Sequence, residues 1–147
     1  MRVRVGVTID APPAEVWRVV EPIERHVEWM ADAVAITFTG MQTRGVGTTF
    51  DCLTKVGPFR LVDRMAITEW TPRKAMGIDH RGVVTGRGRF TLRRRRRDRT
   101  RFTWSEQLRF PWWMAGPLGV FAAQPVLRAL WRRNLRRLKQ LVETGEA

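Results

Sequence analysis

Phe50-Asp51-Cys52-Leu53-Thr54-Lys55-Val56-Gly57-Pro58-Phe59-Arg60-Leu61-Val62-Asp63-Arg64-Met65 reads as a β-hairpin that carries its own register. Gly57-Pro58 supplies the turn chemistry between two runs of alternating character. Setting Lys55 opposite Arg60 places Thr54 against Leu61, Cys52 against Asp63 and Phe50 against Met65. One face is then mostly apolar but carries a carboxylate, and it needs a partner to cover it.

The flanking sequence supplies that partner. Val3, Val5, Val7 and Ile9 alternate with Arg2, Arg4, Gly6 and Thr8, the period of a strand with one wet face. Asp10 precedes Ala11-Pro12-Pro13-Ala14-Glu15, so a helix capped by Asp10 is expected to start there, with Val16, Trp17, Val19 and Val20 as its apolar side. A second short helix is expected over residues 23–29, and Val34, Ile36 and Phe38 resume a strand. Downstream, a strand runs through Ile67 to Trp70, Thr71-Pro72-Arg73 turns the chain, and residues 75–80 form the next strand.

A last hairpin has arms at 84–92 and 100–108. Pairing Phe90 with Phe102 sets Trp104 opposite Gly88 and Glu106 opposite Gly86, with residues 93–99 as a solvated, arginine-rich tip. From Gly116 the period becomes helical: Leu127, Leu130, Trp131, Leu138, Leu141 and Val142 form one stripe and arginines fill the rest, while Pro125 either starts the regular part or kinks it. The expectation is one α+β domain over residues 1–147. Its curved antiparallel sheet of about seven strands wraps a long C-terminal helix, two short helices follow strand 1, and a cavity remains wherever the inward residues do not fill the space.

Composition is compatible with one core: 147 residues, 44% hydrophobic, seven Trp and seven Phe. Cys52 is the lone cysteine, which excludes an internal disulfide and leaves it as a small core residue. No stretch reaches the roughly 18 apolar residues of a membrane span, and Met1-Arg2-Val3-Arg4-Val5 lacks a signal peptide's apolar run, so a cytoplasmic location is expected. Lys plus Arg number 27 against 14 Asp plus Glu, a formal +13. Such a field attracts nucleic acid or anionic lipid, but a preference for Arg over Lys at the level of the genome explains it equally well. Nucleic acid is disfavoured, because the aromatics fall on predicted buried faces and are not interleaved with the arginines. Nothing in the sequence fixes an oligomeric state.

The chain resembles the START and birch-pollen-allergen (SRPBCC) superfamily with its helix-grip fold, in the branch of polyketide cyclases/dehydrases and lipid transport proteins. The resemblance rests on Ile9-Asp10-Ala11-Pro12-Pro13-Ala14-Glu15-Val16-Trp17, on Arg101-Phe102-Thr103-Trp104-Ser105-Glu106, and on the proline-punctuated basic helix over residues 117–141. It implies a ligand cavity without naming the ligand, since members include lipid and sterol carriers, quinone-binding proteins, hormone receptors and polyketide cyclases.

With these registers the inward face is apolar apart from Asp63, His80 and Glu106. Buried carboxylates are costly unless paired, so each is a candidate acid or base on a ligand carbonyl, or a group that bonds to a neighbour and only shapes the pocket. His26 and Glu28, at the expected rim, are read as exposed. Neither a metal-ligand spacing nor a phosphate-cradling glycine loop is recognisable, so no metal or cofactor is expected. Candidate ligand contacts are Trp29, Phe50, Asp63, Met65, His80, Trp104, Glu106, Trp112, Trp113, Met114 and Phe121, with Trp112 and Trp113 also suited to touching an anionic bilayer. The leading reading is a carrier or sensor for a lipid, quinone or polyketide-like compound. A cyclase or dehydratase using a cavity carboxylate is the alternative, and surface binding through the arginine faces is a third.

Overall fold

Val3, Val5 and Ile9 are buried while Arg2 and Arg4 are exposed, so the first strand lays one face on the core as its alternation requires. The structure, a computed structural model, describes residues 1–111, 113 and 116–145, with side chains described throughout that set except at 116–122. The order is β1 (Arg2–Ile9), α1 (Pro13–Val20), a 3-10 helix (Ile23–Glu28), β2 (Ala33–Phe38), β3 (Thr49–Val56), β4 (Phe59–Thr71), β5 (Ala75–Arg81), β6 (Thr85–Arg95), β7 (Arg99–Arg109) and α2 (Gly116–Thr144). The strands form one seven-stranded antiparallel sheet, β1-β7-β6-β5-β4-β3-β2, that curves around α2 in a helix-grip α+β arrangement.

The β3–β4 register is the expected one, with Lys55 opposite Arg60 and Cys52 opposite Asp63. The β6–β7 register differs by two residues. Phe90 faces Trp104, Leu92 faces Phe102 and Glu106 faces Gly88, while Gly86 faces Leu108. The arginine run accounts for the difference. Residues 93–95 continue β6, and the reversal is confined to Arg96–Asp98, where Arg97 and Asp98 hold φ of 60° and 53°. No glycine or asparagine marks that tip, so the sequence leaves the register unpinned. A slip of two preserves which side chains face inward.

Two further expectations are corrected. Asp10 does not cap α1: Pro12 occupies the N-cap with no side-chain bond, and Asp10 instead donates its backbone N–H to Glu143 at 2.8 Å and approaches Arg99 at 3.7 Å. In β2 a bulge between Ala33 and Ala35 turns Val34 outward, leaving Ile36 and Phe38 as the inward pair. On α2 the buried stripe is Leu127, Trp131, Leu135, Leu138 and Leu141, with Leu130 and Val142 half-buried beside it. Pro125 lies inside the helix. No helix among the described residues is long and apolar enough to cross a membrane.

Candidate functional site

The inward faces of β2 through β7 and the buried stripe of α2 do not meet along their whole length, and a cavity of about 550 Å³ lies between them. Ile36, Phe50, Leu61, Met65, Ile67, Met76, Ile78 and Phe90 give it an apolar wall, with Leu127 and Trp131 facing them from α2. The rim is formed by the tip of the β3–β4 hairpin and by α2, where Phe59 (64% exposed) and Val126 (55%) remain open to solvent.

Two polar clusters interrupt this wall, the first of them on the sheet. Asp63 on β4, His80 on β5 and Glu106 on β7 are all buried. The His80 Nδ1–H donates to Asp63 Oδ2 at 2.9 Å and Nε2–H to Glu106 Oε2 at 2.8 Å. The Trp104 Nε1–H donates to Glu106 Oε1 at 3.0 Å. Strand β6 lies between β5 and β7, so His80 and Glu106 stand two strands apart, about 9.6 Å at the usual spacing. They meet because β6 offers Gly88 at that point: a Cβ there would lie 2.5 Å from both Glu106 carboxylate oxygens.

Burial alone would favour a neutral His80, but hydrogen bonds and charge from Asp63 and Glu106 outweigh it and push its pKa up to about 10. The ring is therefore an imidazolium at neutral pH with both N–H groups committed. It has no lone pair with which to take a proton from a ligand.

A second buried carboxylate, Asp32, accepts Trp131 Nε1–H at 3.1 Å and Asn134 Nδ2–H at 2.7 Å, while Asn134 Oδ1 accepts the Ala31 backbone N–H at 3.0 Å. Trp104 and Trp131 stack with ring centroids 4.7 Å apart, so each indole of the pair anchors to a different carboxylate. Asp32 and Trp131 both line the cavity, and neither was among the expected contacts. Asn134 was the available signal, as the one amide on the apolar stripe of α2.

His26 is a correction. It is buried, lines the cavity and packs on Trp29 and Phe90 at centroid distances of 5.3 and 5.8 Å. Burial lowers its pKa to about 4 against the opposing pull of the Val20 carbonyl, which accepts its Nε2–H at 2.7 Å. The folded ring thus stays neutral where the unfolded one, with a pKa near 6.5, takes a proton. The stability His26 contributes is present above pH 6.5 and lost as pH falls toward 4. Between pH 7 and 5 the loss is expected to be about 2 kcal/mol, read as a falling urea midpoint that His26→Gln flattens.

Of the expected contacts, Phe50, Asp63, Met65, His80, Trp104 and Glu106 lie in the cavity wall. Trp29 does not: it is fully buried behind the wall, edge-on to Phe102 and Trp104. Trp113 is 62% exposed and outside the wall. Trp112, Met114 and the Phe121 side chain lie outside the described residues. Cys52 is buried in the wall, and desolvation raises its thiol pKa to about 11, which leaves it inert as a nucleophile.

The sequence profile of a family described as polyketide cyclase / dehydrase and lipid transport matches residues 1–143. No curated protein matches the chain in sequence. Among solved structures, TTHA0849 from Thermus thermophilus is similar with a TM-score of 0.85 at 15% identity, covering 100% of both chains. The Aha1 dimer from Colwellia psychrerythraea is similar with a TM-score of 0.71 at 16% identity, covering 100% of this chain and 99% of that one. DynU16, from the dynemicin biosynthetic locus, gives 0.71 at 21% identity over 99% of this chain and 48% of its own. At these identities the structural likeness establishes the fold.

Proposed function

We propose that this chain, which belongs to the polyketide cyclase / dehydrase and lipid transport family, binds a hydrophobic or aromatic small molecule in the cavity between its sheet and α2, as a carrier or sensor. The observation that carries this reading is the cavity itself: about 550 Å³, with apolar and aromatic walls and two localised polar clusters. Pockets of some 300–1,000 Å³ with few convergent polar groups suit ligands of this kind. Burial of the ligand's apolar surface, at about 25 cal/mol per Å², supplies the affinity before association costs. The exposed Phe59 and Val126 at the rim, with Lys55 and Arg60 on the same hairpin, suit brief contact with an anionic bilayer during pickup.

A cyclase or dehydratase acting on a polyketide is the second reading, favoured by the likeness to a protein of the dynemicin locus. Against it stands the His80 ring, with both nitrogens engaged and its pKa raised.

Native mass spectrometry of freshly purified protein, followed by solvent extraction, is expected to find a stoichiometric apolar compound. The emptied protein is expected to bind the neutral probe N-phenyl-1-naphthylamine saturably at one site. Cys52→Trp, which projects an indole into the cavity, should weaken that binding at least tenfold while far-UV circular dichroism stays unchanged. A clean mass together with non-saturable probe binding would defeat this reading.

A further inference from the structure

Among the described residues, the side-chain N–H groups of the cavity wall, apart from the outward-facing Arg89, are already donated within the protein. Both N–H groups of the His80 ring go to Asp63 and Glu106, the Trp104 indole to Glu106, and the Trp131 indole to Asp32. The single N–H of neutral His26 goes to the Val20 carbonyl, and the Thr54 hydroxyl faces the Cys52 carbonyl at 3.4 Å. In the wall itself the unspent groups accept, while the Trp29 indole N–H, buried behind the wall, has no partner. Asp63 Oδ1 is buried with no partner, and the carboxylates of Glu106 and Asp32 have lone pairs beyond the bonds they receive. The sheet cluster also sets two acidic side chains on one histidine ring in an apolar wall.

We infer that the cavity selects ligands whose polar end donates hydrogen bonds, a phenolic, alcoholic or amino group on an apolar body, and rejects those that end in a carboxylate or other anion. This rests on the binding reading above and names the chemistry of the ligand. A donor end finds an acceptor on a carboxylate, a charge-assisted bond that is among the stronger kinds. An anionic end would meet acidic groups and, among the described side chains of the wall, no inward N–H left to donate, and would lose its hydration for nothing in return. The interior preference is thus opposite in sign to that of the surface, whose formal +13 attracts anions. Surface charge governs encounter, while the wall governs what stays.

The test is a series of equal apolar bodies: 4-hexylphenol, 4-hexylanisole, 4-hexylbenzoate and hexylbenzene, each displacing N-phenyl-1-naphthylamine and each titrated by calorimetry. The phenol is expected to bind at least tenfold tighter than the anisole, which has the same shape without the donor, and at least a hundredfold tighter than the benzoate. Asp63→Asn removes one negative charge and turns an N–H toward the cavity, so the preference for phenol over benzoate should shrink at least tenfold. Equal affinities for phenol and anisole, or a benzoate that binds as well as the phenol, would overturn the inference while hexylbenzene binding leaves the cavity reading standing. If the probe and all four compounds fail to bind, the cavity reading falls and takes this inference with it. The wild-type series decides the matter even if the variant does not fold.

Discussion

Replacing His80 with leucine is expected to cost about 3–5 kcal/mol of folding stability, because the Asp63 and Glu106 carboxylates would stay in an apolar wall without the cation between them. The same reasoning makes a triple replacement milder than the single one. Asp63→Leu with His80→Leu and Glu106→Gln removes the stranded charges while keeping an acceptor for the Trp104 indole, and should recover at least about 2 kcal/mol. Urea denaturation of the three proteins at pH 7 checks the order. A His80→Leu protein as stable as the wild type would mean that the two carboxylates find other partners.

The raised pKa of His80 adds a pH signature with a definite sign. The folded ring holds its proton to about pH 10 and the unfolded ring only to about 6.5, so the contribution is complete below pH 6.5 and drains away as pH rises toward 10. Wild-type stability should fall between pH 7 and 9, and His80→Leu should lack that slope. His26 acts on the opposite flank, below pH 6.5, since its folded pKa is lowered. The two histidines therefore bound the pH range of greatest stability from either side.

Gly86→Ala is expected to be the most damaging single methyl addition in the sheet. A Cβ at Gly86 would lie 1.9 Å from the Gln107 carbonyl oxygen, and the residue holds φ at +138°, a conformation L side chains rarely adopt. Backbone, not a flexible side-chain end, would have to move, so the β6–β7 pairing around Leu108 must open. The expected result is insoluble protein or a loss of more than about 3 kcal/mol, combining the strain of that φ with broken ladder bonds. Gly57→Ala is the control: its φ is +57° but nothing lies within 4 Å, so about 1 kcal/mol is expected. Equal melting temperatures for the two variants would show that β6–β7 yields at Gly86 without cost.

These glycines also mark how far the sequence can be read. Gly86 and Gly88 both read as openings opposite large inward residues, yet the slip of two moves Glu106 from Gly86 to Gly88 and leaves Gly86 opposite Leu108. Gly88 accommodates the Glu106 carboxylate, whereas Gly86 accommodates a backbone approach. The β3–β4 hairpin shows no such slip because Gly57-Pro58 fixes its turn, and with it the inward placement of Asp63. At the arginine tip, Arg97 and Asp98 adopt positive φ without any glycine or asparagine to favour it.

Period and punctuation were enough to determine the strands, the long helix and the inward placement of Asp63, His80 and Glu106, because each depends on residues a few positions apart, but not the burial of His26 or the outward turn of Val34. The tertiary structure alone decided which of these groups touch. Asp63, His80 and Glu106 come from three strands, and Asp32 meets Trp131 and Asn134 from 99 and 102 residues away. A two-residue change of register leaves the pattern of faces intact yet changes every partner between β6 and β7. The order of strands, the gap at Gly88 and the seat of α2 thus turned three inward polar residues into one charged cluster.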